Sequence, residues 1–141
     1  MDYAMLGPAA VLGLGCIGSS IGCGIAGMAS HAVMSRVEEG HGKYITAAAM
    51  PASQSLYSFI LMYIMMNAIR SGQLDPFNAI GIGVFSGVVM LMSSMYQGMC
   101  AASAIQASAR QPSIYGKSLA SLGIIEGFSL FDFVFTLLLI A

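Results

Sequence analysis

The sequence has few charged residues and no tryptophan, and this shortage excludes most soluble architectures. Its 141 residues include only five Lys or Arg and six Asp or Glu, together 8%, whereas hydrophobic residues make up 57%. A soluble domain typically carries a charge at about a quarter of its positions. So few charges cannot cover the surface of a soluble domain of this length. We therefore expect an all-α membrane protein that contacts the lipid bilayer, and we expect no nucleic acid among its partners.

Cysteine is scarce as well. The three cysteines, Cys16, Cys23 and Cys100, form no C-x-x-C spacing of the kind that binds metals or carries out redox chemistry. They are expected to be small packing residues inside membrane helices.

The charged residues cluster, and long uncharged segments separate the clusters. In the last segment, residues 118–141, only Glu126 and Asp132 are charged. A bilayer core of about 30 Å is crossed by roughly 20 helical residues. We predict four transmembrane helices, near residues 4–34, 44–69, 77–108 and 117–140.

The basic residues predict the orientation of these helices. Arg36 and Lys43 flank one short connection, Arg110 and Lys117 flank another, and the opposite side has only Arg70. Basic residues are enriched in cytoplasmic loops. The two hairpin loops should therefore lie in the cytoplasm, with both termini and the middle loop, residues 71–76, outside.

The chain contains an internal repeat with a displacement of 74 residues. This register predicts one membrane domain, residues 1–141, made of two tandem duplicated helical hairpins, residues 1–72 and 75–141, in the same orientation. Eleven pairs of residues are identical in it: Gly7/Gly81, Gly13/Gly87, Ser19/Ser93, Ser20/Ser94, Gly24/Gly98, Arg36/Arg110, Gly42/Gly116, Lys43/Lys117, Ser55/Ser129, Leu56/Leu130 and Phe59/Phe133.

The segment GLGCIGSSIGCGIAG, residues 13–27, begins with the G-x-G-x-x-G pattern of a dinucleotide-binding loop. Such a loop must follow a strand and open a helix, whereas here an uncharged segment runs straight through. Gly15 and Gly18 correspond to Val89 and Met92 in the second repeat, so the pattern is not duplicated. Small residues four apart let membrane helices pack closely, which is the function we predict for these glycines.

Four polar residues lie at one depth in the predicted membrane. Glu126, at about nine residues into its helix, is roughly 14 Å deep, and Ser53, Gln54 and Gln97 are at a similar depth. An ionised carboxylate there costs at least about 2.5 kcal/mol, and no Lys or Arg at that depth pairs with it. The carboxyl group should therefore carry a proton or hold a cation. Oxygen ligands suit alkali and alkaline-earth ions, and the single formal charge favours a monovalent ion.

Three further features leave alternatives open. Pro51 disturbs the helical turn before Ser53, either to line a site or as a plain kink. Asp132 is expected on another face of its helix, for packing, for a protonated hydrogen bond inside the hairpin, or for an exit path. His31 and His41 indicate a solvated or stalk-facing surface rather than a metal site.

The motifs PASQSLYSF, YQGMCAASAIQASARQPS and GIIEGFSLFDF, together with the glycine-rich first helix, resemble the proteolipid (subunit K, or c) of V-type and bacterial V/A-type rotary ATPases. The resemblance implies a homo-oligomeric ring that rotates against a stator and moves one ion per essential carboxylate. It also implies that the glycine-rich helices form the inner circle of the ring. The glycines expected to support ring packing are Gly13, Gly15, Gly18, Gly22 and Gly24.

The sodium-pumping members, with the pattern P-G-T-Q-x-L-Y, are more similar still. The resemblance implies that Glu126 binds Na⁺ and that Tyr57 closes the site with a hydrogen bond to the carboxylate. Ser53 replaces the threonine of the pattern, which keeps the oxygen but loosens the rotamer. The implied ligands are Glu126, Gln97, Gln54, Ser53 and the backbone carbonyl of Met50.

The same resemblance implies partners. They are a stator membrane subunit with an essential arginine and a central-stalk subunit at the cytoplasmic loops, in a bacterial cell membrane. ATP hydrolysis would belong to partner subunits, and no nucleotide is expected on this chain. The alternatives are a proton-specific ring, a four-helix drug/proton exchanger and a structural pore; the missing tryptophan and the glycine-dense helix argue against the exchanger.

Overall fold

The computed structural model describes residues 3–141 as a bundle of helices. The bundle contains α1 (Leu6–Met34), α2 (His41–Ala49), α3 (Ser53–Arg70), α4 (Pro76–Arg110) and α5 (Tyr115–Ile140). Short 3-10 turns, Met50–Ala52 and Pro112–Ile114, precede α3 and α5. The predicted all-α fold is confirmed, and the helix ends differ from the expected ones by a few residues.

The second predicted span consists of α2, the 3-10 turn and α3 in succession. The turn follows from Pro51, which has no N–H to continue an α-helix. Three described helical segments are long and apolar enough to cross a membrane: Leu6–Met34, Pro76–Arg110 and Pro112–Ile140. The α2–α3 segment is interrupted at Pro51, and it completes a bundle of four helical passes.

The connection between the two hairpins is a tight turn. Gly72 has a φ of 76°, a conformation that favours glycine. The backbone N–H groups of Gln73 and Leu74 both donate to the carbonyl of Ala68, at 2.9 and 3.0 Å. Asp75 then caps α4 by accepting from the N–H groups of residues 77 and 78. These local bonds end α3 and begin α4 within a few residues, as the predicted middle loop requires.

Helices α1 and α4 lie side by side in the same direction, and their backbones approach closely at several glycines. A Cβ atom at Gly18 would lie 2.5 Å from Cα of Leu91, and Gly98 faces the backbone of Gly22. These contacting positions differ by 73 and 76 residues, close to the 74-residue displacement of the repeat. The two repeats therefore place their first helices at the same height, in contact through small residues.

The glycines of the first helix fall into two groups. Gly15, Gly18 and Gly22 are buried against α3 or α4 of the same chain, where a Cβ atom would collide with a neighbour. Gly13 and Gly24 face open space, with no atom within 4 Å of a Cβ atom built on them. Contacts within one chain thus account for three of the five glycines that were expected to support ring packing.

Candidate ion-binding site

Glu126 on α5 is the centre of a network that joins three helices. Its Oε2 atom accepts hydrogen bonds from Ser53 Oγ at 2.8 Å, Gln97 Nε2 at 2.8 Å and Gln54 Nε2 at 3.2 Å. Its Oε1 atom accepts from the Tyr57 hydroxyl at 2.7 Å. The structure therefore brings together every side chain that the sequence predicted for this site. All four donors lie on α3 or α4, so the contacts also hold α5 in the bundle.

Oxygen atoms converge on the Ser53 hydroxyl. Its Oγ atom lies 2.8 Å from Glu126 Oε2, 3.1 Å from the Met50 carbonyl and 3.2 Å from Gln54 Oε1. A hydroxyl has one proton to donate, so it cannot bond all three acceptors at once. A small cation at this point would therefore have several oxygen atoms within reach.

The 3-10 turn at Pro51 shapes one wall of this cluster. Within the turn the Ser53 N–H donates to the Met50 carbonyl, which holds that carbonyl beside the Ser53 side chain. The Pro51 carbonyl accepts a hydrogen bond from Ser94 Oγ on α4 at 2.7 Å. The Pro51 turn thus lies next to the Glu126 network.

The two amide side chains are fully buried and held by further bonds. Gln97 Nε2 donates to the Leu122 carbonyl at 3.1 Å, one turn before Glu126. Gln54 Nε2 donates to Gln97 Oε1 at 3.0 Å and to Ser129 Oγ at 3.2 Å. Both amides have 0% exposure. Because each is bonded to more than one helix, their positions next to Glu126 are fixed by packing.

Sequence reasoning missed the serines behind the site. Ser129 Oγ donates to Ser93 Oγ at 2.6 Å, and Ser93 donates in turn to the Ile125 carbonyl at 3.0 Å. The corresponding residues of the first repeat are also in contact, since the Ser55 N–H donates to Ser19 Oγ at 3.1 Å. The identity of Ser19 with Ser93 and of Ser55 with Ser129 in the repeat was the signal that pointed to them.

Other candidate residues lie away from the network. Asp132 is half-buried on α5 and interacts with Ser86 on α4. The exposed His41 side chain bonds the Val37 carbonyl at 2.5 Å. His31 is also exposed. Across residues 3–141 no three His, Cys, Asp or Glu side chains are grouped so that they could hold a metal ion, so a cation at Glu126 would have one carboxylate and neutral oxygens.

Two segments of the sequence match one known family. Residues 6–65 and residues 80–139 each match the family of the ATP synthase C subunit, and the second match is displaced from the first by 74 residues. The chain belongs to this ATP synthase C-subunit family. The double match also confirms the predicted duplication and its register.

Two relatives from curated proteins resemble almost the whole chain. V-type sodium ATPase subunit K of Enterococcus hirae is 27% identical over 142 residues, covering 99% of this chain and 91% of the relative. A-type ATP synthase subunit K of Methanocaldococcus jannaschii is 26% identical over 135 residues, covering 96% of this chain but only 60% of the relative. The chain is therefore a proteolipid rotor subunit of a V/A-type ATPase, an integral membrane component that translocates ions and is not itself catalytic.

Proposed function

We propose that this protein transports Na⁺, one ion per copy, at the Glu126 carboxylate. The observation that supports this most directly is the convergence of Met50 O, Gln54 Oε1 and Glu126 Oε2 on the Ser53 hydroxyl, each within 3.2 Å. Hard oxygen atoms are the ligands that alkali ions prefer. The single carboxylate matches the charge of a monovalent ion. The sodium ATPase named among the relatives adds support.

Sodium binding requires that the amide oxygens, rather than the amide nitrogens, face the ion. The nitrogen atoms of Gln54 and Gln97 point at Glu126 in the structure, whereas a cation must be met by oxygen. A half-turn of the Gln97 amide exchanges its nitrogen and oxygen, and it replaces the hydrogen bonds that Gln97 makes with the Leu122 carbonyl and with Gln54. We therefore expect the amide of Gln97, and that of Gln54 where needed, to reorient as the ion enters.

The proposed transport cycle uses a ring of copies. With Na⁺ bound, Glu126 is neutralised and passes through lipid, while the Tyr57 hydroxyl bonded to Oε1 at 2.7 Å closes the site. An arginine of the stator then favours release of the ion. Moving one charge against 100 mV takes about 2.3 kcal/mol, supplied by ATP hydrolysis in partner subunits through a central stalk.

The orientation proposed from the basic residues agrees with their place in the fold. The start of α2, which contains Lys43, and the start of α5 lie together, since the Tyr115 hydroxyl donates to the Lys43 carbonyl at 2.9 Å. Arg36 and Arg110 line one cavity at the same end. We propose that this end faces the cytoplasm of a bacterial cell and contacts the central stalk.

Carbodiimide labelling of assembled rings tests the sodium proposal. The reagent modifies Glu126 when no ion covers it, so we expect Na⁺ at neutral pH to suppress labelling and K⁺ at the same concentration to suppress it less. Ser53→Ala should require at least about tenfold more Na⁺ for the same protection, because it removes one oxygen ligand. Labelling that is insensitive to Na⁺ at neutral pH would contradict the proposal.

A proton-specific ring is the second candidate, because the same network has an acceptor for a proton at Glu126. A proton needs the carboxyl group and one hydrogen-bond partner, so Gln54, Gln97 and the Met50 carbonyl would have no part in binding it. In the labelling experiment this alternative predicts protection by alkaline pH and none by Na⁺.

A further inference from the structure

We propose that Asp132 is a second proton-binding carboxyl group, which keeps its proton inside the membrane throughout the transport cycle. Its Oδ2 atom is buried and has no hydrogen-bond partner among residues 3–141. Its carboxyl group interacts with the Ser86 hydroxyl of α4. This inference concerns a different group from the sodium site and does not depend on the ion bound at Glu126.

Asp132 is separated from Glu126 along and around α5. Six residues correspond to about 9 Å along a helix and to a rotation of roughly 240°. Glu126 bonds residues of α3 and α4 at mid-bundle, whereas Asp132 lies beside a hydroxyl pair, Ser86 Oγ and Thr136 Oγ1, 2.7 Å apart. The two carboxyl groups have no bonding partner in common in the described residues, so they can hold different ligands.

No basic side chain is placed to neutralise an Asp132 carboxylate. Helix α4 has no charged residue between Asp75 and Arg110, and α5 has no basic residue after Lys117. Helix α3 offers only Arg70, at its last residue. The titratable groups on the helices packed against α5, and on α5 itself, are Tyr57, Tyr63, Arg70, Tyr96, Cys100, Arg110, Tyr115, Lys117 and Glu126.

The chemistry around Asp132 suits a proton better than a metal ion. The polar side chains placed near it are the hydroxyls of Ser86 and Thr136, whereas an amide oxygen and a turn carbonyl surround Ser53. An ionised carboxylate with a buried, unbonded oxygen is costly in a membrane interior. A proton on Oδ2 removes that charge, and the neutral carboxyl group stays next to the Ser86 hydroxyl.

Isotope-edited infrared spectroscopy of intact rings tests this inference. The chain has three aspartates, Asp2, Asp75 and Asp132, and Asp75 is a helix cap. In rings saturated with Na⁺ at neutral pH, labelling the aspartate carboxyl carbons with ¹³C should shift a protonated-carboxyl band. The band should remain in Glu126→Gln rings and disappear in Asp132→Asn rings, since asparagine keeps the shape without the acid group.

Two outcomes would overturn the inference. One is a wild-type spectrum in which ¹³C-aspartate shifts no protonated-carboxyl band, a measurement that needs no variant. The other is a sodium stoichiometry of two ions per chain that falls to one in Asp132→Asn, which would make Asp132 a cation ligand. We expect wild-type and Asp132→Asn rings to bind the same amount of Na⁺. If the sodium proposal is wrong, the rings should bind no Na⁺ at Glu126 while the aspartate band remains, so the two failures can be told apart.

Discussion

A single methyl group at Gly22 should disturb the proposed ion site, although the atoms nearest to that methyl group belong to Ser94 and Pro51 rather than to a proposed ligand. A Cβ atom there would lie 2.8 Å from Cβ of Pro51 and 3.0 Å from the carbonyl carbon of Ser94, and closer still to the Ser94 oxygen. Two of these three atoms belong to backbone that cannot rotate away. In Gly22→Ala, α1 must therefore move away from α4 and from the 3-10 turn at Pro51.

Comparison with Gly27→Ala isolates the energy of that collision. Both substitutions remove a glycine from the interior of the same helix, which favours alanine by about 0.8–1 kcal/mol. A Cβ atom at Gly27 meets no other helix within 4 Å, so Gly27→Ala gains helix propensity without a collision. Overpacking costs about 1–3 kcal/mol. Because the gain in helix propensity is the same in both variants, we expect the free energy of unfolding of Gly22→Ala to be lower than that of Gly27→Ala by the overpacking cost of about 1–3 kcal/mol.

The movement of α1 in Gly22→Ala should alter the proposed ion site by displacing the turn at Pro51. The Pro51 carbonyl is tied to Ser94 at 2.7 Å, and the same turn places the Met50 carbonyl beside Ser53. Moving the turn separates these oxygens. A loss of about 1.4 kcal/mol in binding free energy weakens affinity tenfold, which is the size of the effect that we expect on Na⁺ binding.

Both effects are measurable on purified rings. Unfolding in sodium dodecyl sulfate, followed by loss of helical circular dichroism, gives the difference in stability. Exchange of radioactive sodium gives the affinity, and native mass spectrometry checks that the Gly27→Ala control assembles. If Gly22→Ala matches Gly27→Ala in both stability and sodium affinity, the close contact between α1, α4 and the Pro51 turn does not support the site.

Three further substitutions test separate parts of the structure. Tyr57→Phe removes the 2.7 Å bond to Glu126 Oε1. Because a hydrogen bond to a charged group contributes about 1.5–3 kcal/mol, sodium should leave the ring at least about ten times faster. Sodium exchange should be unchanged in the control Tyr63→Phe, which lies on the exposed face of α3. Ser53→Thr should retain sodium affinity within a few-fold, since the hydroxyl remains on a stiffer side chain; a loss as large as that of Ser53→Ala in an equilibrium binding assay would contradict the ligand assignment. Gly24→Leu should leave the single chain folded but prevent ring assembly in native mass spectrometry, because a Cβ atom at Gly24 meets no other helix of its own chain within 4 Å. Intact rings would show that this face is not a contact between copies.

The sequence predicted the cluster of polar side chains around Glu126 because these side chains are unusual for their surroundings. Glu126, Gln54 and Gln97 are strongly polar residues in apolar segments. Their depth follows from the rise per residue of a helix, so counting from the loops places them together. The Pro51 turn was expected for a similar reason, since the missing N–H acts locally.

The serines and the directions of the glycines were not predicted, for physical reasons. A serine hydroxyl can bond a carbonyl of its own helix, so Ser93 and Ser129 are not conspicuous at any depth. Helix α1 is apolar on nearly all sides, and such a helix has no polar face that reveals its rotation. The sequence therefore could not show that Gly18 faces α4 while Gly24 faces outward.

Every bond to the Glu126 carboxylate described above comes from the same chain, and both carboxylate oxygens have partners within it. If the ion occupies this network, a copy does not need its neighbours to complete its binding pocket. Filling of a resting ring should then be statistical, with a Hill coefficient of about one, because no coupling free energy links the sites. Any cooperativity in turnover would have to arise from rotation against the stator rather than from loading.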